Sequence, residues 1–97
     1  MKIYVWLYEN FRDIAGKDNI CLEIEQKHVT VKDVLKKLDK VCSKKFGKPE
    51  KVLKKSMLIL HRGRSHLNDE LIRDLSIEVR DGDILIVKGL PVIGDGK

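Results

Sequence analysis

No apolar run in the sequence approaches the ~20 residues that a helix needs to cross a bilayer, so no membrane-spanning helix is expected. The apolar opening, Met1-Lys2-Ile3-Tyr4-Val5-Trp6-Leu7, is too short for the hydrophobic region of a secretory signal, and no small-residue cleavage site follows it. The expected location is therefore the cytoplasm. Cysteine is scarce: Cys21 and Cys42 stand far apart and neither belongs to a Cys-x-x-Cys pair. Without three or four clustered Cys, His or acidic residues at ligand spacing, the two read as unpaired thiols, and no resident metal is expected. The phosphate-cradling patterns Gly-x-x-x-x-Gly-Lys and Gly-x-Gly-x-x-Gly are both missing. Asp81-Gly82-Asp83 has the start of a calcium loop without the rest of it, and reads instead as a turn between strands. His28, His61 and His66 fall in expected turns or edges with no obvious Cys, Ser or carboxylate companion in the sequence, so they read as surface histidines. No catalytic residue is assigned and no bound cofactor is expected, because acid–base or nucleophilic chemistry needs a placed partner.

What is present suffices for one core. A chain of 97 residues, 42% of them hydrophobic, fits a single domain and argues against disorder. Ile3, Val5 and Leu7 alternate with Tyr4, Trp6 and Tyr8, the pattern of a strand. Ile20, Leu22 and Ile24 alternate with Cys21, Glu23 and Glu25 in a second, and Glu9–Asn19 is read as a long loop joining the two in an antiparallel hairpin. Thr30 is a good N-cap with Asp33 three residues on, and Val31, Val34, Leu35, Leu38, Val41 and Cys42 make one apolar stripe; this predicts a helix from about Val31 to Lys45, ended by Gly47 and Pro49. A short helical turn is expected over Glu50–Lys55 and a strand over Met57–Leu60. His66-Leu67 could start another strand, and Asn68–Leu75 reads as either loop or helical turn. Ile77 and Val79 precede the turn at 80–83, and Ile84–Val87 reads as a fully apolar central strand.

The first and last strands are the most apolar, which places them side by side in the middle of a sheet crossed by one helix. The expected fold class is α+β, a β-grasp or ubiquitin-like roll: a mixed sheet of four to five strands with one main helix. Residues 1–88 form the domain and residues 89–97 a flexible C-terminal tail.

Charge is unevenly distributed. Residues 27–55 hold eleven lysines against Asp33, Asp39 and Glu50, an excess of eight positive charges in a chain whose formal net charge is +5. Such a segment could meet phosphates. The absence of aromatics among the lysines weighs against nucleic acid, and an acidic protein partner is equally served. The stripe Tyr4, Trp6, Tyr8 offers a partner-binding patch on the side of the sheet away from the helix; the alternative is that loops or the tail cover it.

Five segments then carry a resemblance in order along nearly the whole chain. They are Phe11-Arg12-Asp13-Ile14-Ala15-Gly16-Lys17, Leu22-Glu23-Ile24, Thr30-Val31-Lys32-Asp33-Val34-Leu35, Asp81-Gly82-Asp83-Ile84 and Pro91-Val92-Ile93-Gly94. Together they resemble the MoaD/ThiS sulfur-carrier family, most of all the small subunit of molybdopterin synthase. The resemblance implies a non-catalytic carrier whose terminal carboxylate is adenylated by a partner activating enzyme using ATP and converted to a thiocarboxylate. A molybdopterin synthase large subunit-like protein then takes the tail into its active site. The family ends in Gly-Gly. Here Gly94 matches the first of these, Asp95 stands at the second, and Gly96-Lys97 follow. The residues this singles out as the carrier tail are Pro91, Val92, Ile93, Gly94 and Gly96. Two further readings stay open: a β-grasp interaction module without the terminal chemistry, and an RNA-associated β-grasp domain using segment 27–55.

Overall fold

The computed structural model describes residues 1–62 and 69–90. Along the chain run β1 (Lys2–Leu7), α1 (Glu9–Ala15), β2 (Asn19–Glu23), β3 (Val29–Thr30), α2 (Val31–Val41), α3 (Pro49–Lys55), β4 (Ser56–His61), β5 (Glu70–Ile72), β6 (Glu78–Val79) and β7 (Ile84–Gly89). Five strands form one mixed sheet in the order β2-β1-β7-β4-β5, and β3 pairs with β6 in a small second sheet. As expected, β1 and β7 are neighbours; they run parallel, with Tyr4 opposite Ile84 and Leu7 opposite Val87. The β1–β2 pair is antiparallel.

Strand periodicity decides what lies inside. Ile3, Val5 and Leu7 of β1, Leu58 and Leu60 of β4, and Leu85 and Val87 of β7 are all buried. They meet Val31, Val34, Leu35 and Leu38 of α2, so the helix covers one face of the sheet. The start of α2 is fixed by a full capping box: Thr30 Oγ1 accepts the Asp33 N–H at 3.3 Å, and the Asp33 carboxylate accepts the Thr30 N–H at 2.9 Å. Replacing Thr30 by Ala should cost about 1 kcal/mol, read as a lower midpoint in urea at unchanged slope.

Several expectations are corrected. The segment Glu9–Asn19 is not a plain loop, since it carries α1, closed by Gly16 in the left-handed region. Phe11 of α1 stacks on Phe46 at 6.2 Å between ring centroids, which gives that helix a core anchor. Helix α2 stops at Val41 rather than near Lys45, because Ser43 and Lys44 turn left-handed and the Asp39 carboxylate caps the N–H groups of Phe46 and Gly47. Val41 therefore leaves the apolar stripe and is 52% exposed. Pro49 does not end a helix; it sits in the first turn of α3, where its missing N–H costs nothing. The ambiguous stretch before Leu75 contains β5. The His66-Leu67 strand lies outside the described residues. The expected central strand is β7, in the middle of the five; its Leu85 and Val87 are buried, while Ile84 and Ile86 on the other face are half-buried.

Candidate docking face and tail root

That half-buried face of β7 defines the site. The helices occupy one face of the large sheet, and the register of its strands shows what the other face carries. One row runs Cys21, Tyr4, Ile84, His61; the next runs Asn19, Trp6, Ile86, Ile59, Leu71. Tyr4, Trp6 and Tyr8 are 40%, 40% and 41% exposed, and Leu71 is 47% exposed. All four count among the exposed large hydrophobic residues of the described part of the chain. Sequence reading missed Met57, Ile59, Leu71, Ile84 and Ile86, which extend the patch. The signal was present in Ser56–His61 and Ile84–Val87, because a strand apolar on both faces gives its sheet two apolar faces whether or not a second layer exists.

The patch leads to the point where the chain leaves the sheet. Lys88 reaches over the Tyr8 ring at 5.7 Å from its centroid. Gly89 pairs with Ser56 on the β4 side. On the other side the Gly89 N–H donates to Glu9 Oε1 at 3.0 Å. Leu90, 52% exposed, lines a cleft with Leu53, Met57, Leu71 and Arg73. Glu9 holds this position with φ of 56°, a left-handed conformation that costs a non-glycine residue on the order of 1 kcal/mol or more. Glu9 was not singled out in the sequence, since a contact spanning eighty residues has no local signature. The carrier-tail residues Pro91, Val92, Ile93, Gly94 and Gly96 lie outside the described residues.

On the helical side the acids of segment 27–55 are turned to local work. Asp33 and Asp39 cap backbone N–H groups, and Glu50 pairs with Lys32 at 3.5 Å. The Glu50 carboxyl is held below its usual range by its own backbone N–H and then by Lys32 and Lys36. Among the described residues no other lysine of this segment forms an ion pair, which leaves a basic surface opposite the apolar one. His28 pairs with Glu78 and His61 with Asp69; His66 lies outside the described residues. Cys21 and Cys42 are both free, and burial, then Asp39, pushes the Cys42 thiol up, away from the reactive thiolate. Among the described residues no group of His, Cys, Asp and Glu is placed to hold a metal ion, and no helix is long and apolar enough to cross a membrane.

No protein-family model matches the chain. No curated protein sequence matches it either. Solved structures do. The small archaeal modifier protein SAMP1 of Haloferax volcanii superposes with a TM-score of 0.68 at 17% identity, over 98% of this chain and 100% of that one. The chain has the ubiquitin-like β-grasp fold. A Pyrococcus furiosus protein assigned as molybdopterin converting factor subunit 1 shares this β-grasp with a TM-score of 0.66 at 20% identity, over 95% and 99% of the two chains. A Helicobacter pylori complex of subunits 1 and 2 of molybdopterin-converting factor contributes a β-grasp chain with a TM-score of 0.59 at 19% identity, over 98% and 100%.

Proposed function

We propose that this β-grasp protein is a cytoplasmic sulfur carrier. On this reading it is gripped by its open sheet face while its C-terminal tail enters a partner enzyme. The observation that carries the reading is the continuity of an uncovered aromatic and aliphatic sheet face with the root of the tail at Lys88–Leu90. An activating enzyme is the first partner. A terminal carboxylate oxygen attacks the α-phosphorus of ATP, the bond to the β-phosphate breaks, and pyrophosphate leaves. A hydrosulfide-level sulfur then attacks the acyl carbon and expels AMP, leaving a thiocarboxylate. The second partner is a molybdopterin synthase large subunit-like protein that takes this sulfur, as fits the likeness to molybdopterin converting factor chains. On this reading the tail carboxylate is the group the chain contributes to the reaction. Asp95, standing where the family has glycine, favours the second reading, an interaction module that has kept the docking face alone.

The test is calorimetric titration of Trp6→Ala and Lys40→Ala against a purified activating enzyme or large subunit. Trp6 sits centrally in the open patch, and truncating such an aromatic anchor should cost about 2 kcal/mol, roughly 30-fold in Kd. Lys40 lies on the helical side and should change binding by less than about threefold. A larger loss from Lys40→Ala, with the Trp6 variant folded, would move the docking face to the helices.

A further inference from the structure

At the end of β7 the sheet runs out of main-chain partners. In a parallel pair the ladder alternates, so after Tyr8 N–H donates to Val87 C=O at 3.1 Å the next rung would take the Gly89 N–H to the Tyr8 carbonyl. That carbonyl is already occupied: as the residue before α1, Tyr8 accepts the N–H groups of Phe11 and Arg12 at 3.1 and 3.4 Å. The Glu9 carboxylate takes the vacant place and accepts the Gly89 N–H at 3.0 Å. The fit is close, because a Cβ on Gly89 would stand 3.2 and 3.3 Å from the two Glu9 oxygens. One step earlier Lys88 lies over the ring of Tyr8. Residues 8 and 9 thus grip residues 88 and 89 in turn, and they do so where the chain parts from the sheet.

We propose that Glu9 is a positioning residue for the tail: by completing the β7 ladder with its side chain, it fixes the direction in which the chain leaves the domain at Gly89. The inference rests on the carrier reading for its catalytic consequence and on the Glu9–Gly89 contact for its structural one. A carboxylate at the far end of the tail must reach one phosphorus atom inside a partner, and the position of that end depends on the angle at the root. A root free to swing spreads the tail over many directions and lowers the fraction in line for attack. The side-chain acceptor is what matters, not the charge, so glutamine should serve in place of glutamate.

Two measurements test this on the full chain. Hydrogen–deuterium exchange at the Gly89 amide reads the contact directly. Glu9→Ala should raise exchange there at least tenfold. Glu9→Gly, which also relieves the left-handed backbone, should do the same. Gly89→Ala pushes the carboxylate away from the other side and should behave alike, while Glu9→Gln keeps protection near that of the parent. In ATP–pyrophosphate exchange with a cognate activating enzyme, Glu9→Ala should lower kcat about tenfold with KM for the carrier within twofold, and Glu9→Gln should restore it. Unchanged Gly89 exchange in Glu9→Ala overturns the contact. Raised exchange with unaltered kcat, or a loss confined to KM, overturns the positioning role. If neither the parent chain nor chains ending at Gly94 and Gly96 are activated, the carrier reading and the positioning role fall together, while the exchange rates still decide the contact.

Discussion

A chain shortened to end at Gly94 should be adenylated on the order of 100-fold faster than the 97-residue chain, and one ending at Gly96 at a rate between the two. The reasoning starts from the reaction. The attacking carboxylate oxygen must meet the α-phosphorus in a narrow site already crowded with phosphate oxygens. Glycine suits the last positions because, without a Cβ, the backbone can lie close to its surroundings. Lys97 puts a long side chain on the reacting residue. Asp95 brings a second negative charge toward the phosphates, where like charges at close range repel. Ending at Gly96 removes the first obstacle and keeps the second; ending at Gly94 removes both and gives up three residues of reach. ATP–pyrophosphate exchange on the three lengths, at matched enzyme concentration, measures the ratio directly. Equal rates for all three would remove the electrostatic and steric argument, and activation of none would favour the interaction module.

The second large effect is on stability. Leu38→Ala should cost about 2–5 kcal/mol, because Leu38 is wholly buried between α2 and the sheet and its loss leaves a cavity in a close-packed core. The matched control is Val41→Ala, one turn on and exposed, which should change stability by less than about 0.5 kcal/mol. Urea denaturation of both variants reads the difference. A loss below about 1 kcal/mol at Leu38 would mean that the helix presents another face to the sheet.

The contrast between these two residues also marks what can be read from the chain alone. Val31, Val34, Leu35 and Leu38 recur at helical spacing behind a Thr-x-x-Asp cap, so both the start of α2 and its inner face were legible. Its end was not. The chain stops being helical at Val41 because the Asp39 carboxylate reaches forward to two N–H groups, a competition that periodicity does not register. That β1 and β7 lie side by side in mid-sheet followed from their apolar content. The one-sided covering of β7 did not, since Ile84-Leu85-Ile86-Val87 carries no polar marker for the open side. Helix α1 was missed because in its seven residues only Phe11 is fully buried, with Ile14 and Ala15 partly so, too short a stretch to show a period. For the site, the stripe Tyr4, Trp6, Tyr8 was visible as alternation within one strand. The rest of the patch comes from three other strands and exists only once register brings Ile59, Leu71 and Ile86 beside Trp6.

The parallel pairing of β1 with β7 has a mechanical meaning. Strands that run the same way, one near the chain's beginning and one near its end, have their outward-leading ends at opposite limits of the pair. Traction applied to the tail while the body is held therefore loads their hydrogen bonds in shear, all at once, instead of peeling them one by one as a hairpin would peel. A motor or a narrow channel that draws in the C-terminus works against the most force-resistant arrangement a sheet can offer. The domain should stay shut while its tail is under tension.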